Sequence, residues 1–254
     1  MLDNQLGVYL FGAIPVNTSK TFGEVKLAGE QRGVYTIPYK ETAMVVADAP
    51  VQVYDPSRAN LKAHQDVVNL VMEQHTIVPM SFGNVLESEQ DVTLLLEQLQ
   101  EQLMKIFPQI ENRIEVGLKI IGHKQWIEQA AQAQPELKQA QENIAGKSKE
   151  AGYYERIQLG EAARKFMLQL QKQCEAEIFT PLTELAVSSK SNEVIGERML
   201  LNASFLIDLD KETAFDQKVN ELYEQWEGKV DFKYTGPWPA YNFIDIKLKA
   251  ADVS

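Results

Sequence analysis

Residues 198–234 read RMLLNASFLIDLDKETAFDQKVNELYEQWEGKVDFKY and divide into three segments of different period. Residues 198–207 predict a strand. Asp210 is placed to cap a helix whose Phe215, Val219, Leu222 and Trp226 recur three or four residues apart on one face. Val230, Phe232 and Tyr234 then alternate with Asp231 and Lys233, the period of a closing strand.

Upstream of that segment lie a loop at 188–193, a β-prone run at 184–187, and a long helical stretch that begins at Tyr153 and passes Cys174. From Glu128 to Ser148 the chain is rich in Ala, Gln, Glu and Lys, with Leu137 and Ile144 almost its only large apolar residues. It reads as a solvated helical insertion, at about 128–150, interrupted at Pro135. Before it, Ile114, Val116, Leu118 and Ile120 alternate with Glu115, Gly117 and Lys119 as a half-buried strand. The order from Ile114 onward is β, α, β, β, α, β, the split βαβ order of a ferredoxin-like domain.

The first half predicts strands at 6–13, 33–37 and 43–48, separated by Gly or Pro. Asp55, Pro56 and Ser57 supply an N-cap residue and a Pro suited to a first turn. Leu61, Val67, Val68, Val71 and Met72 then mark one face of a helix running to about His75. Residues 76–79 are β-prone, Phe82 and Gly83 read as a turn, and Ser88 with Asp91 fits a capping box. Val92, Leu95, Leu96, Leu99, Leu103 and Ile106 give the plainest helix of the chain, up to Pro108. The expected fold is α+β in two domains: a mixed α+β domain over 1–110 and a ferredoxin-like domain over 111–235, followed by a C-terminal extension over 236–254.

Composition narrows the function. At 254 residues and 44% hydrophobic, the chain can bury a large core. Its 25 Lys and Arg against 36 Asp and Glu give a formal charge of −11, which repels phosphate backbones and anionic lipid surfaces alike. No basic run with interleaved aromatics offsets it, so neither nucleic acid nor a lipid membrane is an expected partner. The single Cys174 has no partner for an intrachain disulfide and points to reducing cytosol. The opening residues lack a basic n-region and include Asp3, so they read as a strand rather than a signal peptide. No apolar stretch approaches the roughly 20 residues a membrane-spanning helix needs.

A search for chemistry returns no catalytic residues, no cofactor site and no metal site. Gly146, Lys147 and Ser148 resemble the close of a phosphate-binding loop, but Gln141 stands where its first Gly belongs and no strand precedes it. Gly146 reads better as a helix stop. His64, His75 and His123 lack metal-ligand spacing, and His64 and His75 are about three turns apart on one expected helix. Ser81 has no flanking glycines of a nucleophile elbow. Glu175 and Glu177 lie near Cys174 and oppose its ionisation. These two carboxylates, like Asp208 and Asp210, fit solvated pairs or helix caps in so acidic a chain.

One segment stands out. TGPWPAYNF, residues 235–243, holds two Pro, a Trp, a Tyr and a Phe. Pro237 and Pro239 stiffen the chain and present Trp238, Tyr241 and Phe243 for protein contact at low entropic cost, or else fold them back as a lid over the core. Ile244, Ile246 and Leu248 alternate with Asp245, Lys247 and Lys249 and suit a strand at a sheet edge.

The segments GVYLFGAIP, VVNLVMEQHTIVPMSFGNVL after His64, ENRIEVGLKI, AGYYERIQLG, LNASFLIDLD and TGPWPAYNF, in this order and spacing, resemble the gas vesicle protein F/L family across nearly the whole chain. Length and the C-terminal segment are nearer to the F than to the L branch. Ser81 departs from the basic residue the family usually carries ahead of the Phe-Gly pair. The resemblance implies a cytoplasmic, vesicle-associated accessory protein or minor structural component, without catalysis. It is needed for gas vesicle formation, and its partners are the major hydrophobic shell protein and other accessory proteins. A ferredoxin-like protein that binds a small molecule, or an enzyme, is the alternative the residues leave open.

Overall fold

A computed structural model of the chain describes residues 6–148 and 151–246. Two units emerge, residues 6–114 with 237–246 and residues 115–236.

In the first unit β1, Leu6–Ile14, is buried at every residue after Leu6. A strand covered on both faces reads as an unbroken apolar run, which is why LGVYLFGAI shows no alternation. With β2 (Thr21–Leu27), β3 (Glu30–Tyr39), β4 (Thr42–Pro50) and β5 (Val78–Pro79) it forms a sheet of order β2-β3-β4-β1-β5, and β6 (Val85–Leu86) also pairs with β1. The pairs β1–β4, β3–β4 and β2–β3 are antiparallel. Helix α1, Arg58–Met72, packs Val67, Val68 and Val71 against Tyr9, Phe11, Ile14, Val45 and Ala47. Helix α2, Glu89–Ile110, takes the opposite face, where Gln100 meets Thr42 at 3.0 Å. Pairing of β1 with β4 passes from Leu10↔Val46 to Gly12↔Val45, so Phe11 is a bulge. The bulge resets the alternation and lets Tyr9, Phe11 and Ile14 all reach the α1 side.

Ser57 caps α1 by accepting from Asn60 N, so Pro56 precedes the cap instead of opening the helix. The helix stops at Met72, before His75. Ser88 and Asp91 form the capping contacts of α2, at 3.2 Å from the Asp91 N–H and 2.7 Å between side chains. That helix continues through Pro108 to Ile110. Strand β2 is additional to the sequence expectation. Gly23 at φ 87 breaks its register between Thr21 and Glu24, which puts the buried Phe22 and Val25 three apart and erases the period of two.

The second unit holds β7 (Arg113–Gly122), β8 (Ser188–Ser191), β9 (Met199–Asp208) and β10 (Val230–Trp238) in the order β10-β7-β9-β8. Numbered within the unit, that is 4-1-3-2, the ferredoxin-like order. Between β7 and β8 run α3 (Lys124–Gln132), α4 (Pro135–Ile144), α5 (Tyr153–Cys174) and α6 (Thr180–Thr183), and α7 (Glu212–Gln225) joins β9 to β10. Glu175–Phe179 forms a π-helical turn ahead of Pro181, where a wider turn relieves the clash a proline makes with the preceding turn. Phe205 of β9 centres the core, with ring centroids 5.5 Å from Phe179 and 5.2 Å from Phe215.

Three expectations are corrected. Residues 184–187 are turn and bend, and the strand falls on 188–191, where a loop was expected. Asp210 lies inside a 3-10 turn, Leu209–Lys211, and makes no cap to α7. Residues 244–246 form no strand, and Leu248 lies outside the described residues.

Gly12 gives a direct test of the packing around β1. A Cβ there would meet the Ile77 side chain at 2.7 Å and the Val78 carbonyl oxygen at 2.8 Å, whereas one at Gly33 meets nothing within 4 Å. Gly12→Val should lower unfolding free energy by about 1–3 kcal/mol in denaturant titration, while Gly33→Ala should leave it equal or slightly higher.

Candidate functional site

The outer edge of β1 is covered by a broken strand. Pro79 and Val78 of β5 pair with Gly12 and Ala13, and Leu86 and Val85 of β6 pair with Val8 and Tyr9. Between them Met80 N donates to Phe11 O and Leu10 N donates to Asn84 O, both at 2.9 Å. The loop therefore leaves the sheet only at residues 81–83.

A buried polar chain fixes that loop from behind. Gly83 N–H donates to the Tyr9 hydroxyl at 3.0 Å, and the same oxygen lies 3.0 Å from His64 Nδ1. His64 Nε2 lies 3.2 Å from Met80 O. With a neutral imidazole one proton arrangement satisfies all three contacts: Tyr9 accepts from Gly83 and donates to Nδ1, and Nε2–H donates to Met80 O. His64 is 4% exposed, with the Tyr9, Phe11 and Phe82 ring centroids 5.4–5.9 Å away. Desolvation holds its pKa below the usual histidine value, opposed by the Met80 carbonyl. Burial likewise pushes the Tyr9 phenol up to about 12.

Two depressions flank this loop. The first is a shallow groove of about 480 Å³ lined by Leu61, Lys62, His64, Gln65, Phe82, Trp238 and Tyr241. The second is a cavity of about 430 Å³ whose lining includes Leu10, Leu86, Leu95, Leu99, Tyr241 and Ile244. Of the residues singled out in the sequence, Trp238 is half-buried at the end of β10, and Tyr241 is 37% exposed and forms a wall of both depressions. Phe243 is half-buried, closes the 3-10 turn Tyr241–Phe243 and lines neither. The groove's other members, Leu61 and Phe82, come from distant segments, and Leu61 is 43% exposed. Phe82 carried a signal only as part of a turn. Lys62 at the rim is paired with Asp66 at 2.5 Å.

The remaining candidates sit elsewhere. Burial and the nearby Glu177 push the Cys174 thiol up to about 12, so it stays protonated inside the core. His75 lies past the end of α1 with its ring against Phe22. His123 contacts Asp231 at 2.9 Å and the Gly228 carbonyl at 3.1 Å, which raise its pKa. Gly146 follows α4 at φ 79. Among the described residues no cluster of three or more His, Cys, Asp or Glu has metal-binding geometry, and no helix is long and apolar enough to cross a membrane.

The polar chain makes two predictions. Tyr9→Phe leaves Gly83 N–H and His64 Nδ1 unpaired and should cost about 1–3 kcal/mol in denaturant titration. Because the folded state lowers the pKa of His64, the unfolded chain takes up that proton first as pH falls. Its contribution is thus complete above pH 6.5 and shrinks below it, so the stability gap between wild type and His64→Gln should narrow as pH drops through that window. His75 and His123 are common to both chains and cancel. A gap independent of pH contradicts the assignment.

Comparison with known proteins bears on the whole chain. The family described as "Gas vesicle synthesis protein GvpL/GvpF" matches residues 7–245. Gas vesicle protein F1 of Halobacterium salinarum is 27% identical over 96% of this chain and 95% of its own. Gas vesicle protein F of Nostoc sp. is 27% identical over 94% and 98%. The crystal structure of the gas vesicle protein GvpF from Anabaena sp. PCC7120 superposes with a TM-score of 0.81 at 26% identity, covering 95% of this chain and 99% of that one. The GvpF structure from Microcystis aeruginosa, at 23% identity and a TM-score of 0.76 over 94% and 99%, bears on the fold. A match over nearly the full length, in sequence and in fold, means that this chain belongs to the GvpL/GvpF family of gas vesicle proteins.

Proposed function

We propose that the chain binds the major hydrophobic shell protein during gas vesicle formation, as a cytoplasmic, vesicle-associated accessory protein without catalysis. Family membership supplies the role in vesicle formation. The observation that carries the finer reading is the shallow groove, where Leu61, Phe82, Trp238 and Tyr241 gather apolar surface around a loop fixed by the His64 chain. Aromatic side chains on a rigid support make strong protein contacts because little rotamer freedom is lost on binding. Trp238 and Tyr241 act as anchors, and Phe243 holds the turn that carries Tyr241.

The net charge of −11 complements this groove. An acidic body around one apolar face keeps a complex with an aggregation-prone subunit dispersed until the subunit joins the wall. Other gas vesicle accessory proteins are further partners of the same class, while nucleic acid and lipid surfaces are disfavoured by the charge.

The test is retention of purified tagged protein by the shell protein, with an acidic α+β protein of similar size as control. Trp238→Ala combined with Tyr241→Ala should lower retention at least about tenfold, with an unchanged circular-dichroism spectrum. Wild-type retention by that variant removes the groove from the account.

A further inference from the structure

In the second unit, His123 follows β7 and stands at the N-cap position of α3, and three of its atoms meet a segment 105 to 108 residues further on. Its N–H donates to the Lys229 carbonyl at 2.8 Å. Its Nδ1 lies 3.1 Å from the Gly228 carbonyl oxygen, and its Nε2 lies 2.9 Å from a carboxylate oxygen of Asp231. Both ring nitrogens thus face groups that only accept. A neutral imidazole carries a single N–H and would turn a lone pair on one of these two oxygens, so the full set of bonds needs an imidazolium. The same geometry explains why α3 has no side-chain cap, since the ring at the N-cap position is turned to residues 228–231. What the ring joins is lightly seated. No residue of α3 is buried, and its half-buried Trp126 rests edge-on against Trp226, 5.9 Å between ring centroids. Trp226 ends α7, and the chain turns from there into β10 through Gly228 at φ 75.

We propose that His123 is a proton-dependent latch, which as an imidazolium ties the β7–α3 junction to the α7–β10 turn and, on losing its proton, lets that turn open locally. The bond to Asp231 on β10, and after it the Gly228 carbonyl, raise the His123 pKa above the ordinary 6.5, while desolvation and Arg198, one residue ahead of β9, oppose them. The Arg198 guanidinium also donates to the Gly122 carbonyl at 3.4 Å. The two neighbouring lysines are engaged elsewhere, Lys124 of α3 with Glu128 at 3.8 Å and Lys229 over the Trp226 ring at 5.5 Å. A group whose pKa folding raises contributes fully below its unfolded value and loses that contribution as pH rises through the folded one. The latch is therefore closed on the acid side of pH 6.5 and opens on the alkaline side, the reverse of His64. The His123 and Asp231 side chains are 38% and 59% exposed, so solvent screens the pair and its effect falls on local opening rather than on global unfolding.

The experiment uses the full chain. Long-range proton–nitrogen NMR of the wild type should show both His123 ring nitrogens protonated at about pH 6 and a titration midpoint above 6.5. His64 and His75, whose pKa values burial lowers, titrate below that midpoint and are told apart by it. Native-state hydrogen exchange at the His123 and Lys229 amides, corrected for the pH dependence of the exchange chemistry itself, should lose at least about threefold in protection between about pH 6 and about pH 8.5. The amide of Leu118, in the middle of β7, should keep its protection over that range. His123→Gln should show the lower protection at both pH values, and Asp231→Asn should move the ring's midpoint down. The proposal is overturned if the His123 ring is neutral at about pH 6, if wild-type protection of the two amides is the same at both pH values, or if His123→Gln keeps the wild-type pH dependence.

Discussion

A strand buried on both faces must still satisfy the backbone groups along its two edges, and β1 is such a strand. One edge is answered by β4 over nearly its full length. The other has no full-length partner. It is covered by the dipeptide strands β5 and β6 and by the Met80 and Asn84 backbone bonds between them. A covering so short in sequence is not held by its own ladder, and the remaining support comes from side chains beneath it. Tyr9 and His64 supply that support, and both their polar ends are used in doing so. In low dielectric each of these bonds is strong when made and costly when missing, so the loop has one geometry rather than several.

The face proposed for docking follows from this solution. Residues 81–83 leave the sheet at a defined place, with Phe82 beside Leu61 of α1, and the segment from Trp238 to Ile246 lies along both sides of the loop. Tyr241 is the shared wall, half-packed and half-exposed, which places it between the two explanations the sequence left open for the aromatic segment. The segment does fold back, and in doing so it builds a surface. Protonating His64 would turn Nδ1 into a donor and reverse its bond with the Tyr9 hydroxyl, and burial of the ring opposes that charge.

What the sequence made legible was what burial writes into it. The ferredoxin-like order was readable because Val116, Leu118 and Ile120, or Phe215, Val219 and Leu222, keep their periods under one-sided burial. Strand β1 was readable as an apolar run. Strand β8 was misplaced because SSKS contains no apolar residue; it is a strand only through its pairing with β9. Strand β2 was missed because a glycine bulge destroyed its alternation. At the site, Trp238 and Tyr241 were found because aromatics flanked by prolines are conspicuous in one dimension. Leu61 and Phe82 were not recognisable as their neighbours, since each serves an ordinary periodic or turn role in its own segment and the groove exists only after folding. His64 carried no signal beyond its lack of metal-ligand spacing, because its partners Tyr9 and Met80 are 55 and 16 residues away.

The central claim is that the first unit, through the face around Phe82, meets the shell protein. A photo-crosslinking amino acid placed at position 61 reports on that face, and one placed at Tyr154, which is 77% exposed on α5 of the second unit, serves as the comparison. Irradiation in the presence of the shell protein should give an adduct from position 61 and none above background from position 154. Adducts from position 154 with none from position 61 would contradict the account and move the contact to the second unit.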